Sequence, residues 1–200
     1  MEIIIVIVIA IIALILSIVI VPQQTMVVIE RLGKYNRILG PGLNFKIPII
    51  ERVAGRESIR IRQLDVPVET KTQDNVFVNL GVSIQFLAIS EKIFDAFYKL
   101  TDVNQQITSY VYDVVRAEVP KKKLDEVFES KDEIAQTIKA DLSGSMNDFG
   151  YSIVNSLITD IDPAPNVKDA MNQINATARL RVAAQNEAEA DKIRQVKNKL

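Results

Sequence analysis

The chain opens with an apolar run that no polar stripe interrupts. Between Ile3 and Val21 the only polar side chain is that of Ser17, whereas a helix on a soluble core would show polar residues at helical spacing. At about 1.5 Å per residue, such a helix comes close to the ~30 Å hydrocarbon core of a bilayer. The pattern therefore predicts a transmembrane anchor over residues 1–22. A cleaved signal peptide is the alternative, but no Lys or Arg precedes the run and no small-residue cleavage site follows it.

A β-rich module is predicted next, over residues 23–57. Met26 to Ile29 is typical of a short strand. Farther on, the turn around Pro41 and the proline at position 48 exclude a helix from the apolar stretch 38–50. That stretch has two interpretations: an internal sheet core, or a segment that enters the membrane interface. Under the second interpretation, the membrane-interface residues are Ile38, Leu39, Pro48, Ile49 and Ile50.

Residues 58–162 are predicted to form a mixed α/β module. Polar and apolar residues alternate over 58–68 and again over 76–89, which predicts an antiparallel pair around a turn at 72–75. Gly81 inside the second run indicates a bulge.

Helical periodicity begins at Ser90 and indicates four helices before a closing strand at 151–161. Asp102 or Asn104 is expected to start the second helix, and Ser130 with Glu133 fits a capping box at the start of the fourth. The predicted fold class is α+β.

A last helix is predicted to begin at Asn166, so that residues 163–200 form the start of a long coiled-coil-like helix. It has little side-chain bulk per turn, which suits packing beside other helices rather than burial in a globule. The predicted oligomer-interface residues are the small and apolar ones along it: Met171, Ile174, Ala178, Ala183, Ala184, Ala188 and Ile193.

Composition removes several functional classes. The 24 basic and 25 acidic residues give a net charge of −1, so no basic field indicates a nucleic-acid partner. The absence of His and Cys removes the commonest general base, the commonest metal ligand and any thiol nucleophile. Ser143-Gly144-Ser145 lacks the strand-turn-helix context of a nucleophile. We therefore predict no catalytic, cofactor-binding or metal-binding residue, and no enzyme.

The distribution of basic residues bears on location. Arg31, Lys34 and Arg37 follow the apolar run and none precedes it, so the larger part of the chain is expected on the cytoplasmic side. The sequence thus predicts a single-pass protein of the plasma or inner membrane. The run Lys121–Lys123 has two interpretations, a site for anionic headgroups or a solvated helix start.

The order of these segments, with specific strings, resembles the stomatin/prohibitin/flotillin/HflK-HflC (SPFH, or band 7) family. The subgroup that looks closest is the hypersensitive-induced-response type, with bacterial stomatin-like proteins next. Many of the former attach through an N-terminal Gly and nearby Cys, whereas this chain has Glu2 and no Cys. The strings are VPQQTMVVIERLGKYNRILGPGLNFKIPIIERV at 21–53, QLDVPVETKTQDNVFVNLGVSIQF at 63–86, YVYDVVRAEVPKKKLDEVFE at 110–129 and AMNQINATARLRVAAQNEAEADKI at 170–193.

The resemblance implies a membrane scaffold whose copies assemble laterally into a ring or cage that organises a membrane microdomain. Its expected partners are the lipid bilayer, other copies of itself and an integral membrane client such as a protease. It carries over no catalytic residue and no cofactor. The alternative functions are an adaptor or regulator of a membrane-bound protease or channel and, from a different class, a membrane-tethered hydrolase.

Overall fold

The computed structural model describes the backbone of residues 2–197, and the side chains of these residues except Glu2, Ile9 and 191–197. Helices and strands follow one another as an α+β fold, with short 3-10 turns at Ser90–Lys92 and Val119–Lys121. In chain order the elements are α1 (Glu2–Ser17), β1 (Ile18–Val21), β2 (Thr25–Arg31), β3 (Lys34–Leu39), β4 (Gly42–Phe45), β5 (Glu51–Ser58), β6 (Arg62–Lys71), β7 (Phe77–Ala88), α2 (Ile93–Tyr98), α3 (Val103–Glu118), α4 (Leu124–Glu129), α5 (Lys131–Asp148), β8 (Tyr151–Pro163) and α6 (Pro165–Lys197).

The predicted transmembrane anchor is wrong. Helix α1 ends at Ser17, and Ile18–Val21 leave the helix to form β1, which pairs antiparallel with β4. The 16 residues of α1 rise about 24 Å, short of the ~30 Å hydrocarbon core. Over residues 2–197, no helix combines the length and the apolar character needed to cross a membrane. The physical reason is that the β-branched end of the apolar run has a strand partner in Gly42–Phe45.

The N-terminal strands enclose a small core. Strand β2 lies at the centre of a three-stranded antiparallel sheet, with β3 on one side and β5 on the other. The strands β1 and β4 form a separate two-stranded sheet, and β1 contributes to the same core. The buried side chains of this small core are Val19, Val21, Val27, Ile29 and Leu39.

The larger core lies between the three-stranded sheet β6-β7-β8 and the helices α2 to α5. Alternate residues of β6 and β7 point into it, as the period-two pattern predicted. The irregularity predicted at Gly81 is confirmed, because the β7–β8 register shifts between Gly81 and Val82. The extra residue lies in β8, where the Thr159 hydroxyl donates to the Gly81 carbonyl oxygen at 3.0 Å.

The helix caps match the sequence prediction at one helix and not at another. The Asp102 carboxylate accepts hydrogen bonds from the backbone N–H groups of Asn104 and Gln105, so it caps α3 as predicted. The predicted capping box at the start of α5 is wrong. There the Ser130 hydroxyl donates backward to the Glu126 carbonyl oxygen at 2.6 Å, because Ser130 already terminates α4.

Among its described side chains, helix α6 packs against the body of the protein only near its start. Val167 and Met171 pack against the larger core, whereas residues 172–190 are exposed throughout. The expected long helix beginning near Asn166 is therefore present, and it leaves the body after its second turn.

Two glycines, one inside α5 and one just after its end, provide a test of this packing. Gly150 follows the helix with φ +83°, and a Cβ there would lie 2.6 Å from the Lys92 carbonyl oxygen and 2.7 Å from the Ala96 backbone nitrogen. We expect Gly150→Ala to lower the free energy of unfolding by more than about 2 kcal/mol, because backbone strain adds to overpacking. Gly144, inside α5, has no atom within 4 Å of an added Cβ, so Gly144→Ala should raise stability by roughly 0.5–1 kcal/mol. Urea unfolding of both variants checks the pair, and equal effects would contradict it.

Candidate functional site

The pairing of β1 with β4 produces an exposed sheet face that is entirely apolar. Residues directly opposite in an antiparallel pair point to the same side, and side chains alternate along each strand. Val19 and Val21 point into the small core, so Ile18 and Ile20 point outward together with their partners on β4. We call this surface the apolar face; its residues are Ile18, Ile20, Leu43 and Phe45.

The turn that follows β4 displays further apolar side chains. Ile49 is fully exposed, at 100%, with φ +73°, a conformation that β-branched residues rarely adopt. Leu32, in the β2–β3 turn, is 83% exposed with φ +50°, and its N–H donates to the Ile50 carbonyl oxygen at 3.1 Å. The two turns are therefore adjacent. We call their exposed side chains the apolar tip: Leu32, Ile47, Ile49 and Ile50.

One buried carboxylate holds this tip. The Glu51 side chain is 0% exposed. It accepts hydrogen bonds from the Ile47 backbone N–H at 3.0 Å and from the Asn36 side-chain amide at 2.8 Å. Arg31 and Arg37 form ion pairs with it at 2.9 and 3.0 Å. The carboxylate thus fixes the turn that carries Ile49 to the first sheet, and Arg37 adds a hydrogen bond to the Phe45 carbonyl oxygen at 2.8 Å.

These contacts also set the protonation of Glu51. The Ile47 N–H and the Arg31 guanidinium both bind the ionised form, and the charges of Arg37 and Arg31 favour it further. Burial acts in the opposite direction but is outweighed, so the pKa of Glu51 lies below its ordinary value.

A second carboxylate ties the N-terminal sheet to α2. Glu30, buried in β2, accepts two hydrogen bonds from Arg52, at 2.9 and 2.8 Å, and one from the Tyr98 hydroxyl at 2.8 Å. The Arg52 and Tyr98 hydrogen bonds lower the pKa of Glu30. In turn, burial and the hydrogen bond to Glu30 raise the pKa of Tyr98 to about 12. The sheet that carries the apolar tip is therefore fixed to the α/β module.

The TKTQDN string, one of the motifs that carry the family resemblance, has a structural role. The Asp74 carboxylate accepts hydrogen bonds from the Thr72 hydroxyl and from the Leu124 backbone N–H. The Thr72 bond is the main cause of the lowered pKa of Asp74. This turn therefore connects the β6–β7 hairpin to the start of α4.

The structure places the predicted membrane-interface residues in different surroundings. Ile49 and Ile50 are exposed at the apolar tip, and Pro48, which directly precedes Ile49, is half-buried. Leu39 is buried in the small core and Ile38 packs against the larger one, so neither contributes to the apolar face or tip. Sequence reasoning did not single out Leu32 or the four residues of the apolar face, although Ile18 and Ile20 lay in the predicted anchor and Leu43 and Phe45 in the stretch 38–50. The β1–β4 pairing that exposes them is non-local, and no local pattern signals it.

The predicted oligomer-interface residues lie on α6 as expected but not on one stripe. Met171 packs against the larger core, and Ile174, Ala178, Ala183, Ala184 and Ala188 are exposed. Ile193 belongs to the helix, and its side chain lies outside the described residues. At about 3.6 residues per turn, Ala183 follows Ile174 by about two and a half turns and faces the opposite side.

The remaining candidates have ordinary partners. Lys121 and Lys122 form ion pairs with Glu118 and Glu133, each within 2.9 Å. The Ser143 hydroxyl donates to the Lys139 carbonyl oxygen within α5 at 2.6 Å. In the part of the chain that the structure describes, no group of three or more metal-ligating side chains comes together.

Comparison with known proteins gives one family and several relatives. The model of the SPFH domain / Band 7 family matches residues 19–192. Hypersensitive-induced response protein 4 of Arabidopsis thaliana is 46% identical over 178 residues, 88% of this chain and 61% of that protein. Stomatin-like protein 2, mitochondrial, of Homo sapiens is 31% identical over 166 residues, 82% of this chain and 46% of that protein. The chain thus spans about half to three-fifths of the length of these relatives.

The Glu51 contacts predict a specific dependence of stability on pH. A carboxyl whose pKa is lowered by folding contributes stability that is fully present above its unfolded pKa, near 4.5, and is lost as the pH falls through the folded value. We expect wild-type stability to fall below about pH 4.5. Glu51→Gln should be less stable than wild type at pH 7 and should show a smaller fall in acid. Urea unfolding at pH 7, 5, 4 and 3 measures both, with Glu189→Gln on α6 as the control for removing a surface charge. Parallel pH profiles for wild type and Glu51→Gln would contradict the assignment.

Proposed function

The chain belongs to the SPFH domain / Band 7 family, and from this premise we propose that it is a membrane-associated scaffold that assembles laterally with copies of itself. The family resemblance predicted from the sequence is confirmed. This family is known for membrane-associated proteins of the scaffold type. The observation that carries the proposal is the exposed apolar face and tip, because a patch of this kind marks a membrane or protein contact.

The membrane contact is proposed to be interfacial. The apolar face presents Ile18, Ile20, Leu43 and Phe45 on one side of a sheet, and α1 adds exposed apolar side chains directly before β1. The apolar tip follows within a few residues of β4. Lys46 lies between Phe45 and Ile47, where a basic side chain can reach the headgroup layer. In this arrangement the apolar surface enters the bilayer from one side.

The Glu51 cluster supports this role by fixing the tip before any contact with lipid. Exposed Ile and Leu side chains on flexible turns would collapse onto the protein or lose conformational entropy on insertion. Here the turn backbone is held by the Ile47 N–H bond to Glu51 and by the Leu32 N–H bond to Ile50. The tip therefore needs little further ordering to enter a membrane.

Lateral assembly is proposed to use α6. The helix extends from the body with Ile174, Ala178 and Val182 on one side and Ala183 on the opposite side. A helix with small and apolar residues on two sides can contact one neighbour on each, and a head-to-tail contact repeated around an axis closes into a ring or cage. Such an assembly would organise a membrane microdomain and hold an integral membrane client, such as a protease or channel. We propose no catalytic activity and no cofactor.

A single tryptophan tests the membrane contact, because the natural chain contains none. We expect Phe45→Trp to show a blue-shifted emission on phosphatidylcholine vesicles and strong quenching by brominated acyl chains, since Phe45 belongs to the apolar face. The matched control is Leu180→Trp, an apolar position on α6 that is 71% exposed against 56% for Phe45, and it should remain unquenched. Equal quenching at both positions, or none at position 45, would contradict the proposed contact.

Bulky charges on α6 test the proposed assembly. We expect Ala183→Glu combined with Ala184→Arg to reduce particle size to that of small oligomers or monomers, because the larger side chains prevent close approach of helices. The cooperative unfolding of the α/β module should not change, since Ala183 and Ala184 are exposed on the part of α6 that extends from the body. Mass photometry of detergent-extracted protein measures the size. Unchanged particles would count against the role of α6.

A further inference from the structure

We infer that a trough beside the β6 edge of the larger sheet receives the exposed acidic side of α4 and α5 from a second copy of this chain. The inference rests on the proposed lateral assembly and names a contact for it outside α6. It follows from two exposed surfaces that are complementary in charge and that each carry an exposed aromatic ring.

The trough is an open cavity of about 640 Å³ between the sheet and α3. Phe77, at the start of β7, lines one side of the trough and is 57% exposed. Tyr112 and Arg116 of α3 line another, and the residues that join β8 to α6 close its end. The trough continues into an adjoining groove, which Phe77 and Arg116 also line. Thr72, Gln73 and Asn75 of the β6–β7 turn border that groove. We call this surface the aromatic trough.

Two cations in the aromatic trough are positioned by aromatic rings, and two carboxylates, Glu69 and Asp162, line the same surface. Asp162 already pairs with Lys168 at 2.8 Å, so the charges outside that pair are those of Arg116, Lys71 and Glu69, two positive and one negative. The Arg116 guanidinium lies 5.3 Å from the Tyr112 ring centroid, and the Lys71 ammonium lies 5.7 Å from that of Phe77. Among the described residues, neither forms an ion pair. Stacking on a ring restricts a flexible cation, so a carboxylate that arrives from outside meets a partly ordered partner.

The complementary surface lies on α4 and the first turn of α5. Asp125, Phe128 and Glu129 recur at the spacing of one side of α4, and Asp132 lies in the first turn of α5. Leu124 and Val127 of α4 are buried. Phe128 is 40% exposed. Within the described part of the chain, the three carboxylates form no ion pair. We call this surface the acidic helix side.

The β6–β7 turn separates the two surfaces. Thr72, Gln73 and Asn75 border the trough, whereas Asp74 borders a groove with Leu124 and Asp125 of α4 and the start of α6. A protomer therefore holds the two surfaces on different flanks of one turn. This arrangement suits a head-to-tail contact, in which the acidic helix side of one copy meets the trough of the next.

Extension of the sheet is a less suitable contact at this edge. Pro67 lies in the middle of β6 and cannot donate a backbone hydrogen bond to an added strand. Asp65, Glu69 and Lys71 place charges along the same exposed edge, a common protection against strand pairing. Docking through side chains in the trough satisfies both constraints.

Charge reversal and charge exchange test the contact in the full chain. We expect Arg116→Glu to shift the particles measured by mass photometry toward smaller species by at least a factor of two in mass. Glu129→Arg with Asp132→Arg should do the same. Because every copy carries both surfaces, combining all three changes restores complementary charges and should recover the large particles. Arg60→Glu, which reverses an exposed cation in the β5–β6 connection, is the matched control and should have no effect.

The outcomes separate this inference from the proposed function. Large wild-type particles that Arg116→Glu leaves unchanged would overturn the contact and leave the scaffold function intact. A loss of assembly without recovery in the exchanged variant would also overturn the pairing, since it would point to another ligand for the trough, such as an acidic peptide of a client. Wild-type protein that remains monomeric on membranes would overturn both proposals.

Cross-linking gives a second readout that does not depend on particle stability. The chain has no Cys, so Phe77→Cys and Phe128→Cys can be prepared as separate single-cysteine proteins. We expect oxidation of a mixture on vesicles to give disulfide-linked dimers, and oxidation of either protein alone to give few, because the contact joins different surfaces. Dimers of equal yield in the mixture and in each protein alone would contradict a head-to-tail contact.

Discussion

The arrangement of the N-terminal half depends on the buried carboxylate of Glu51. Its oxygens bind the Ile47 N–H, the Asn36 amide and two guanidinium groups, from Arg31 and Arg37. These partners come from β2, β3 and the turn before β5, so a single group fixes all three relative to one another. A buried charge is tolerated only when it is paired and hydrogen-bonded, and this one is. The result is a rigid turn that displays Ile49 fully to the outside.

The same region shows that pairing between distant strands decides which secondary structure an apolar run forms. Ile18–Val21 continue the composition of α1, but opposite Gly42–Phe45 they become a strand with one buried and one exposed side. The buried side completes the small core, and the exposed side gains Leu43 and Phe45 from the partner strand. A predicted span is thus replaced by a shorter helix and an apolar sheet surface. Under the proposed function, contact with lipid stabilises both.

The parts of the fold that the sequence predicted are those governed by local periodicity. The alternating runs around 72–75 form the expected hairpin, and Asp102 caps α3 as its side chain allows. Features that depend on distant partners were not predictable. Leu39 is buried because side chains of β1 and β2 pack against it. The Ser130 hydroxyl bonds to a carbonyl oxygen of α4 and therefore does not cap α5. The apolar face belongs to the same class, since β2 and β3 lie between its two strands along the chain.

The direction of β7 relates the proposed membrane contact to the proposed assembly contacts. The strand begins at Phe77, beside the aromatic trough and the start of α6, and ends at Ala88, close to α2. Helix α2 is joined to the N-terminal sheet through Tyr98 and Glu30. At about 3.3 Å per residue, the ends of the 12-residue strand β7 lie about 36 Å apart. Copies that place their apolar tips in one membrane plane would therefore bring trough, acidic helix side and α6 together at a common height above it. Under the two proposals, the contacts between copies form away from the lipid, where charge pairing and helix packing do not compete with insertion.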